Sequence, residues 1–190
     1  ADESFGGTKM SRALVIGGSR NFGGELARAY TNKGITVDII ARSEPDFTVD
    51  NHYNCDLQNK VNRQELFSQL IENNQYDTIV CATGYARAQE VSDETRSLEL
   101  NIGYVRDVFS LQPESDIITI GSQWSFKDGF APLQNYIDVK HMLRSETLSY
   151  AAQSANRVNH YCVPTMETAS ARNVRDSFVQ AGHTFKASSN

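Results

Sequence analysis

The stretch from Val15 to Leu26, V-I-G-G-S-R-N-F-G-G-E-L, has residue types that could bind a phosphate group. It follows an apolar run and precedes a segment with helical periodicity, so it is expected to form the turn between a strand and a helix. Backbone N–H groups at a helix N-terminus carry partial positive charge, and glycines let them approach a pyrophosphate closely. Glycine-rich turns are also common as plain connectors, and the stretch alone leaves both roles open. A Walker phosphate loop is excluded, because no Gly-Lys-Ser/Thr follows.

The side chains of Tyr136 and Lys140, in the sequence Y-I-D-V-K, could form a proton-transfer pair. Residues four apart share one face of a helix, so the phenol and the ammonium are expected to be neighbours. A free phenol titrates at about pH 10, and a nearby ammonium favours the phenolate and lowers the phenol pKa. Such a pair is frequent by chance, so its meaning depends on the elements that position it.

Short apolar runs alternate with longer amphipathic ones along the whole chain. The predicted strands are Arg12–Gly17, Thr36–Ala41, His52–Cys55, Tyr76–Ala82, Asp116–Ile120 and Arg157–Val163. The predicted helices are Asn21–Asn32, Lys60–Asn73, Ser92–Leu111, Leu133–Ser154 and Glu167–Gln180. This alternation predicts an α/β fold, a doubly wound Rossmann parallel sheet of about six strands with helices on both faces. One crossover, Arg42–Asn51, has no helical period and is expected to be an irregular loop.

The composition is that of a globular chain. Of the 190 residues 39% are hydrophobic and 22% charged, and the net charge of −5 gives no reason to expect nucleic acid. No apolar run is long enough to suggest a membrane span. Cys55, Cys81 and Cys162 are expected to be reduced thiols and not a zinc site, which favours a cytoplasmic location. We expect residues 1–10 to be a flexible leader and residues 11–190 to form a single dinucleotide-binding, catalytic domain.

From Arg12 to about Thr168 the chain resembles the short-chain dehydrogenase/reductase family. The T-G-x-x-x-G-x-G turn of that family is similar to the segment with Gly17, Asn21 and Gly23 at the three glycine positions. Asparagine at the middle position is a departure, but asparagine tolerates positive φ better than most residues, so the turn could persist.

The family's catalytic tetrad is also matched in order along the chain. Asn101 lies in a predicted helix, and Ser122 ends the predicted fifth strand. Tyr136 follows fourteen residues after Ser122, and Lys140 comes four residues after Tyr136. The resemblance implies that Tyr136 is the general acid in carbonyl reduction and that Lys140 lowers its pKa and holds the nicotinamide ribose. It also implies that Ser122 hydrogen-bonds the substrate oxygen and that the backbone carbonyl of Asn101 holds a water in a proton relay.

The charge at the end of the second predicted strand bears on which nucleotide is bound. A cofactor with a free ribose 2′-OH is usually met by an acidic residue there. This strand ends I-A-R-S, with Arg42 in that region and Arg20 across from it in the glycine-rich turn. Two arginines can clamp a 2′-phosphate through forked, charge-assisted bonds, so the resemblance implies NADP. The alternative is a pair of solvated surface arginines.

The resemblance assigns cofactor contacts at the carboxyl ends of several strands. The expected cofactor-binding residues are Gly17, Ser19, Arg20, Asn21, Phe22, Gly23, Arg42, Ser43, Asp56, Leu57, Ala82, Thr83, Gly84, Val163, Pro164 and Thr165. Two of them depart from the family: Ala82 replaces an asparagine that usually steadies the sheet, and Thr165 replaces a glycine.

The resemblance implies an NADP(H)-dependent oxidoreductase that moves a hydride between the nicotinamide and a small carbonyl or alcohol substrate. One alternative is a non-catalytic NADP(H)-binding regulator or sensor, motivated by Asn21, Ala82 and Thr165. A second is an epimerase or dehydratase, although such enzymes usually carry a larger C-terminal sugar-binding part. Only Glu167–Asn190 follows the matched region, so the substrate pocket is expected to be abbreviated or completed by a neighbouring subunit.

Family members of this type pair through the outer faces of two long helices. Here these are the predicted helices over residues 92–111 and 133–154, so a homodimer or homotetramer is expected. The apolar residues expected on those outer faces are Leu100, Val105, Phe109, Met142 and Tyr150.

Overall fold

The structure is a computed structural model, and the part of the chain that it describes is residues 11–73, 76–127, 129–164 and 169–182. The expected leader over residues 1–10 and the expected cofactor contact at Thr165 lie outside the described residues.

Among the described residues a single sheet contains six parallel strands in the order β3-β2-β1-β4-β5-β6. This order confirms the predicted doubly wound sheet. The order reverses between β1 and β4, and in such sheets ligands bind in the crevice at the carboxyl ends of the strands beside the reversal. The strands are β1 Arg12–Ile16, β2 Thr36–Ala41, β3 Asn51–Asn54, β4 Thr78–Cys81, β5 Asp116–Ser122 and β6 Val158–Val163.

Helices cover both faces of the sheet. The α-helices are α1 Asn21–Asn32, α2 Lys60–Phe67, α3 Glu94–Leu98, α4 Tyr104–Ser110, α5 Gln134–Ala151 and α6 Ala169–Gln180. Two π turns extend or join them, at Ser68–Glu72 and Glu99–Gly103, and short 3₁₀ turns lie at Gln89–Val91, Gln123–Phe126 and Ala131–Leu133. The predicted continuous helix over residues 92–111 is therefore α3, a π turn and α4. Within the described ranges, no helix combines the length and the apolar character that crossing a bilayer requires.

Successive side chains of β1 point to opposite faces of the sheet and enter two separate apolar layers. Leu14 and Ile16 pack in the layer that contains Phe67, while Val15 packs in the layer that contains Ala27. The strand register extends these layers, since Val15 pairs with Ile39 on one side and with Val80 on the other.

The crossover from β2 to β3 is an irregular loop, as predicted. It is held against α1 by an ion pair between Arg28 and Asp46 at 2.9 Å, and the Arg28 guanidinium lies 4.6 Å from the centre of the Phe47 ring. Phe47 and Val49 also pack on the apolar layer beneath. The loop thus packs beside α1 on this face, in the place that a crossover helix would take.

Asp38 lies in the middle of β2, fully buried and away from the strand tip. Its carboxylate accepts hydrogen bonds from Arg12 at 2.6 Å, from Asn51 at 2.8 Å and from the Tyr76 hydroxyl at 2.7 Å. Burial raises the pKa of Tyr76, and its bond to Asp38 raises it further. Asp38 is therefore part of the sheet's internal support and is not placed to meet a ribose.

Candidate active site at the carboxyl ends of the strands

The glycine-rich turn joins β1 to α1 in a backbone conformation that restricts its residues. Gly17 has φ of 89° and Asn21 has φ of 53°, so asparagine occupies the left-handed position expected from the sequence. A Cβ atom on Gly23 would lie 2.3 Å from the Gly17 carbonyl oxygen. The close approach of helix and strand therefore requires glycine at this position.

The same turn packs directly on the end of β4. The backbone N–H of Ala82 donates to the Ile16 carbonyl at 2.9 Å. A Cβ atom on Gly17 would lie 2.4 Å from the Thr83 hydroxyl oxygen, which is buried and makes no hydrogen bond to any described residue. The Tyr104 hydroxyl donates to the Thr83 carbonyl at 3.1 Å. This hydrogen bond supports the segment that contains Ala82.

The turn also meets the end of β2, where the two candidate phosphate-binding arginines lie. The hydroxyls of Ser19 and Ser43 are 3.3 Å apart, which brings the two segments together, and Arg20 and Arg42 are both exposed beside them. A cavity of about 400 Å³ opens here. It is lined by Ser19, Arg20, Asn21, Gly24, Glu25, Arg28, Glu44, Asp46 and Phe47, so acidic as well as basic side chains face it.

Three other candidate cofactor residues have their own structural contacts. Leu57 is buried, while Asp56 is exposed and its carboxylate accepts from the Gln58 backbone N–H at 3.1 Å. The cap of α2 is Asn59 and not Asp56. The Phe22 side chain is partly buried and packs on the apolar layer around Val15.

The predicted catalytic residues come together on the other side of Gly84. A Cβ atom on Gly84 would lie 3.5 Å from both the Asn101 Oδ1 and the Lys140 Nζ. Lys140 Nζ lies 5.7 Å from the centre of the Tyr136 ring and donates to the Ile120 carbonyl at 3.4 Å. Because the Ser122 hydroxyl also lies near enough to the Tyr136 hydroxyl to favour its ionised form, the structure brings all four side chains into one cluster.

Burial decides the protonation of this cluster. Burial raises the pKa of Tyr136, and nearby Ser122 only partly opposes that rise. Burial also lowers the pKa of Lys140 to about 8, opposed weakly by nearby Cys162. Lys140 is not among the groups that shift the pKa of Tyr136 in this structure, so its expected lowering of that pKa, together with the nicotinamide charge, stays a prediction.

Asn101 holds the loop after β4 in place through its side chain. Its amide accepts from the Tyr85 N–H at 3.2 Å and donates to the carbonyls of Tyr85 and Ser97, each at 2.8 Å. Asn101 lies in the π turn Glu99–Gly103, a type of turn that is frequent at functional sites. With its amide engaged in this way, Asn101 has its main chain left to offer to the site.

An aromatic cluster lies beyond Ser122. Trp124 stacks on Phe130 with ring centroids 5.3 Å apart, and Phe130 stacks on Phe178 of α6 at 6.3 Å. Ser177, which directly precedes Phe178, accepts from the Ala88 N–H at 2.8 Å, so α6 is fixed against the loop after β4. The sequence predicts a last helix over residues 167–180 but does not indicate that this helix packs against the aromatic cluster.

The end of β6 lies beside Ser122. Val163 is paired with Ser122 in the sheet, and Pro164 follows it at the exposed strand end. Gly18 was not among the predicted residues, although a Cβ atom there would lie 2.7 Å from the Ile39 side chain. Its place directly after Gly17 in the glycine-rich turn was the only hint of this role in the sequence. Among the described residues no group of three His, Cys, Asp or Glu side chains is placed to hold a metal.

We expect Lys140→Met to raise the free energy of unfolding at pH 7. The pKa of Lys140 is about 8 in the folded chain, and that of an unfolded lysine is about 10.4. Between these two values the unfolded chain binds more protons than the folded chain, so the stability of the fold rises with pH. The destabilisation from burying the charged lysine is therefore full below pH 8 and disappears as the pH rises toward 10. The penalty is on the order of 3 kcal/mol, and methionine avoids it.

Urea unfolding of both proteins from pH 6 to pH 10 measures this difference. The advantage of Lys140→Met should shrink above pH 8. A variant that is less stable than the wild type at pH 7, or a difference that does not change with pH, would contradict the assignment.

No protein-family model matches the chain, and no curated protein matches it in sequence. Many solved structures match it in fold. A short-chain dehydrogenase family protein from Francisella tularensis subsp. tularensis SCHU S4 is similar with a TM-score of 0.79 and 22% identity, over 93% of this chain and 78% of that chain.

Two further solved structures carry nicotinamide cofactors. A gluconate 5-dehydrogenase described as NAD(P)-dependent, from Beutenbergia cavernae and with bound NADP, has a TM-score of 0.76 and 19% identity, over 90% of this chain and 79% of that chain. A 4-hydroxyisoleucine dehydrogenase complexed with NADH has a TM-score of 0.72 and 19% identity, over 84% of this chain and 77% of that chain. The six-stranded parallel sheet and these likenesses show that the chain has the fold of the short-chain dehydrogenase/reductase proteins.

Proposed function

We propose that this chain is a short-chain dehydrogenase/reductase that transfers a hydride between NADP(H) and a small carbonyl or alcohol substrate. The observation that carries the proposal is the convergence of Asn101, Ser122, Tyr136 and Lys140 on one point at the carboxyl ends of the strands. This arrangement lies beside a glycine-rich turn, in a fold whose solved examples include dehydrogenases.

The described residues fit a dinucleotide. The turn at Gly17 and Gly23 leaves backbone free of side chains at the start of α1, where a pyrophosphate is favoured. The buried hydroxyl of Thr83 has no partner among the described residues and faces this turn. The cofactor, when bound, supplies the hydride chemistry.

The chain's own residues would hold the substrate and move one proton. Ser122 would donate a hydrogen bond to the substrate oxygen, and Tyr136, whose hydroxyl lies near Ser122, would give its hydroxyl proton to that oxygen during reduction. Burial raises the pKa of Tyr136, which keeps this proton in place at neutral pH. Lys140, with a pKa of about 8, can accept or return a proton close to neutral pH. The Asn101 carbonyl would hold the water that connects Lys140 with solvent.

The test of this function is a screen for NADPH consumption against aldehydes, ketones and quinones. Turnover of any of these carbonyl classes supports the proposal. Tight NADPH binding without turnover of any of them would favour the alternative, a regulator or sensor on the same fold. That alternative gives no reason for the cluster of Ser122, Tyr136 and Lys140.

A preference for NADP rests on Arg20 and Arg42. Solved structures of this fold carry either NADP or NADH, so the fold does not choose between them. The two arginines flank the Ser19–Ser43 contact, and within the described part of the chain neither forms an ion pair. They are therefore available to a 2′-phosphate.

Arg42→Ala is expected to weaken NADPH binding by about 10- to 150-fold and to leave NADH nearly unchanged. The estimate follows from roughly 1.5–3 kcal/mol for a hydrogen bond to a charged group, at about 1.4 kcal/mol per decade. Titration of both cofactors into wild type and variant measures it. Lys33→Ala is the matched control, because it removes one exposed positive charge at the far end of α1. Equal loss for both cofactors, or none, would refute the role of Arg42.

We also propose a homodimer or homotetramer that uses the outer face of α5. Leu100 and Val105 were expected on such an outer face, but they are buried within the subunit. Met142 and Leu148 of α5 remain 38% and 55% exposed and line one shallow groove. Covering them would remove apolar surface from water. The predicted result is a dimer or larger by light scattering at micromolar protein, converted toward monomer by Leu148→Glu. A monomeric wild-type protein would contradict this.

A further inference from the structure

Two arginine side chains lie against the ring of Tyr85. The guanidinium carbon of Arg87 is 5.3 Å from the centre of this ring, and that of Arg96 is 5.0 Å from it. One comes from the loop after β4 and the other from α3, so the ring joins two cations that are nine residues apart in the sequence. Stacking on an aromatic face stabilises a guanidinium and restricts its position.

This arginine pair is fixed to the catalytic cluster by the backbone of Tyr85. Tyr85 directly follows Gly84, the glycine on which Asn101 and Lys140 converge. The Asn101 side chain binds both the N–H and the carbonyl of Tyr85, at 3.2 Å and 2.8 Å. The pair therefore stands at the border of the site where a substrate carbonyl would react.

The two cations are not neutralised by carboxylates. Ion pairs hold Arg12, Arg28, Arg63, Arg106 and Arg157, but no described residue forms one with Arg87 or Arg96. The Arg96 Nε is buried without a hydrogen-bond partner among the described residues. Asp93 is nearby, but its carboxylate accepts from the Arg96 backbone N–H as the cap of α3. Unpaired positive charge and an unsatisfied donor are features that an anionic ligand would satisfy.

We propose that Arg87 and Arg96 bind an oxyanion on the substrate, a carboxylate or a phosphate, and so select oxo acids or phosphorylated carbonyl compounds. The inference rests on the proposed function and names its substrate class. A guanidinium fork matches the paired oxygens of either group, and the stacking on Tyr85 holds both forks in place before the substrate arrives. The reacting carbonyl would then lie between the two arginines and the hydroxyls of Ser122 and Tyr136.

The experiment measures binding by calorimetry, with and without NADP⁺, so that no turnover is needed. The probes are matched pairs: acetoacetate and levulinate against their methyl esters, and dihydroxyacetone phosphate against dihydroxyacetone. The wild type should bind at least one anion more tightly than its neutral partner, and the tighter anion identifies carboxylate or phosphate. Arg87→Gln and Arg96→Gln should each weaken that anion by about tenfold or more, with the neutral partner unchanged.

Three controls make the result specific. Arg157→Gln removes the same charge from an exposed position just before β6, at the amino-terminal ends of the strands, and should leave anion binding unchanged. Arg87→Lys and Arg96→Lys keep the charge but not the fork and should give intermediate losses. They also test the site if a glutamine variant folds poorly. NADPH binding should survive in the glutamine variants, which separates this pair from the cofactor site.

Anions that bind no better than their neutral partners, or anion binding that both glutamine variants retain, would overturn the inference. Its failure is distinguishable from failure of the proposed function. Arginine-dependent anion binding in a protein that never reduces a carbonyl would refute the reductase and leave the oxyanion site. Reduction of neutral ketones by a protein whose anion binding ignores both arginines would do the reverse.

Discussion

Tyr136→Phe is expected to lower carbonyl reduction by about 10²- to 10⁴-fold while NADPH binding stays nearly unchanged. The change removes one oxygen atom and keeps the ring, so the packing of α5 on the sheet should be preserved. What is lost is the hydroxyl that lies near Ser122 and would donate the proton. Single-turnover reduction and equilibrium titration of NADPH, measured on the same preparation, separate the two effects.

Tyr161→Phe is the matched control for this variant. Tyr161 lies on β6 and is 54% exposed, so it loses the same oxygen without touching the cluster. It should turn over like the wild type. Lys140→Met should differ from Tyr136→Phe by damaging both NADPH binding and turnover, because Lys140 would serve the ribose and the proton path together. Wild-type turnover by Tyr136→Phe would remove the catalytic assignment and favour the sensor.

Local patterns were sufficient to predict the sheet and the position of the candidate site. The bounds of α1 and β2 agree with the sequence prediction, because each is a periodic segment with clear ends such as Gly34. The alternation of strands and helices then implies where the carboxyl ends of the strands meet. Spacing alone placed Tyr136 next to Lys140 on one helix face.

Features that depend on contacts between distant segments were not predicted. The π turn at Glu99–Gly103 interrupts a segment that has ordinary helical periodicity, so nothing in the residue pattern predicts it. The raised pKa of Tyr136 comes from burial by surrounding elements. The pairing of Arg87 with Arg96 through Tyr85 likewise appears only when α3 and the loop after β4 are folded together.

Arg63 is the clearest case of a residue whose role only the folded chain reveals. In the sequence it is one of several charged residues of α2, and such a side chain is usually expected to face solvent. In the structure its side chain is 1% exposed and bonds to Asp107 at 2.6 Å and to Glu99 at 2.8 Å. It also donates to the Leu57 carbonyl. It thus joins α2, α4, the π turn and the segment after β3 that contains Leu57.

Arg63→Ala is therefore expected to destabilise the fold by about 3–5 kcal/mol. The variant would leave Glu99 and Asp107, whose side chains are only 24% and 13% exposed, without their counter-charge. Removing one partner of a buried pair costs this much because the remaining charge stays desolvated. The free energy of unfolding in urea measures the loss. Arg157→Ala breaks an ion pair with Asp116 at the surface and should change stability little, since solvent screens such pairs.

The same variant tests whether Arg63 supports the cofactor site as well as the fold. Its loss would release the Leu57 carbonyl and the Glu99 carboxylate at once, and Glu99 begins the π turn that carries Asn101. At urea concentrations below the unfolding transition we therefore expect Arg63→Ala to bind NADPH more weakly than the wild type. We expect the same of Arg63→Lys, because lysine keeps the charge but lacks the planar guanidinium that can bond to three acceptors at once. If Arg63→Lys lowers stability and binds NADPH like the wild type, Arg63 supports packing alone.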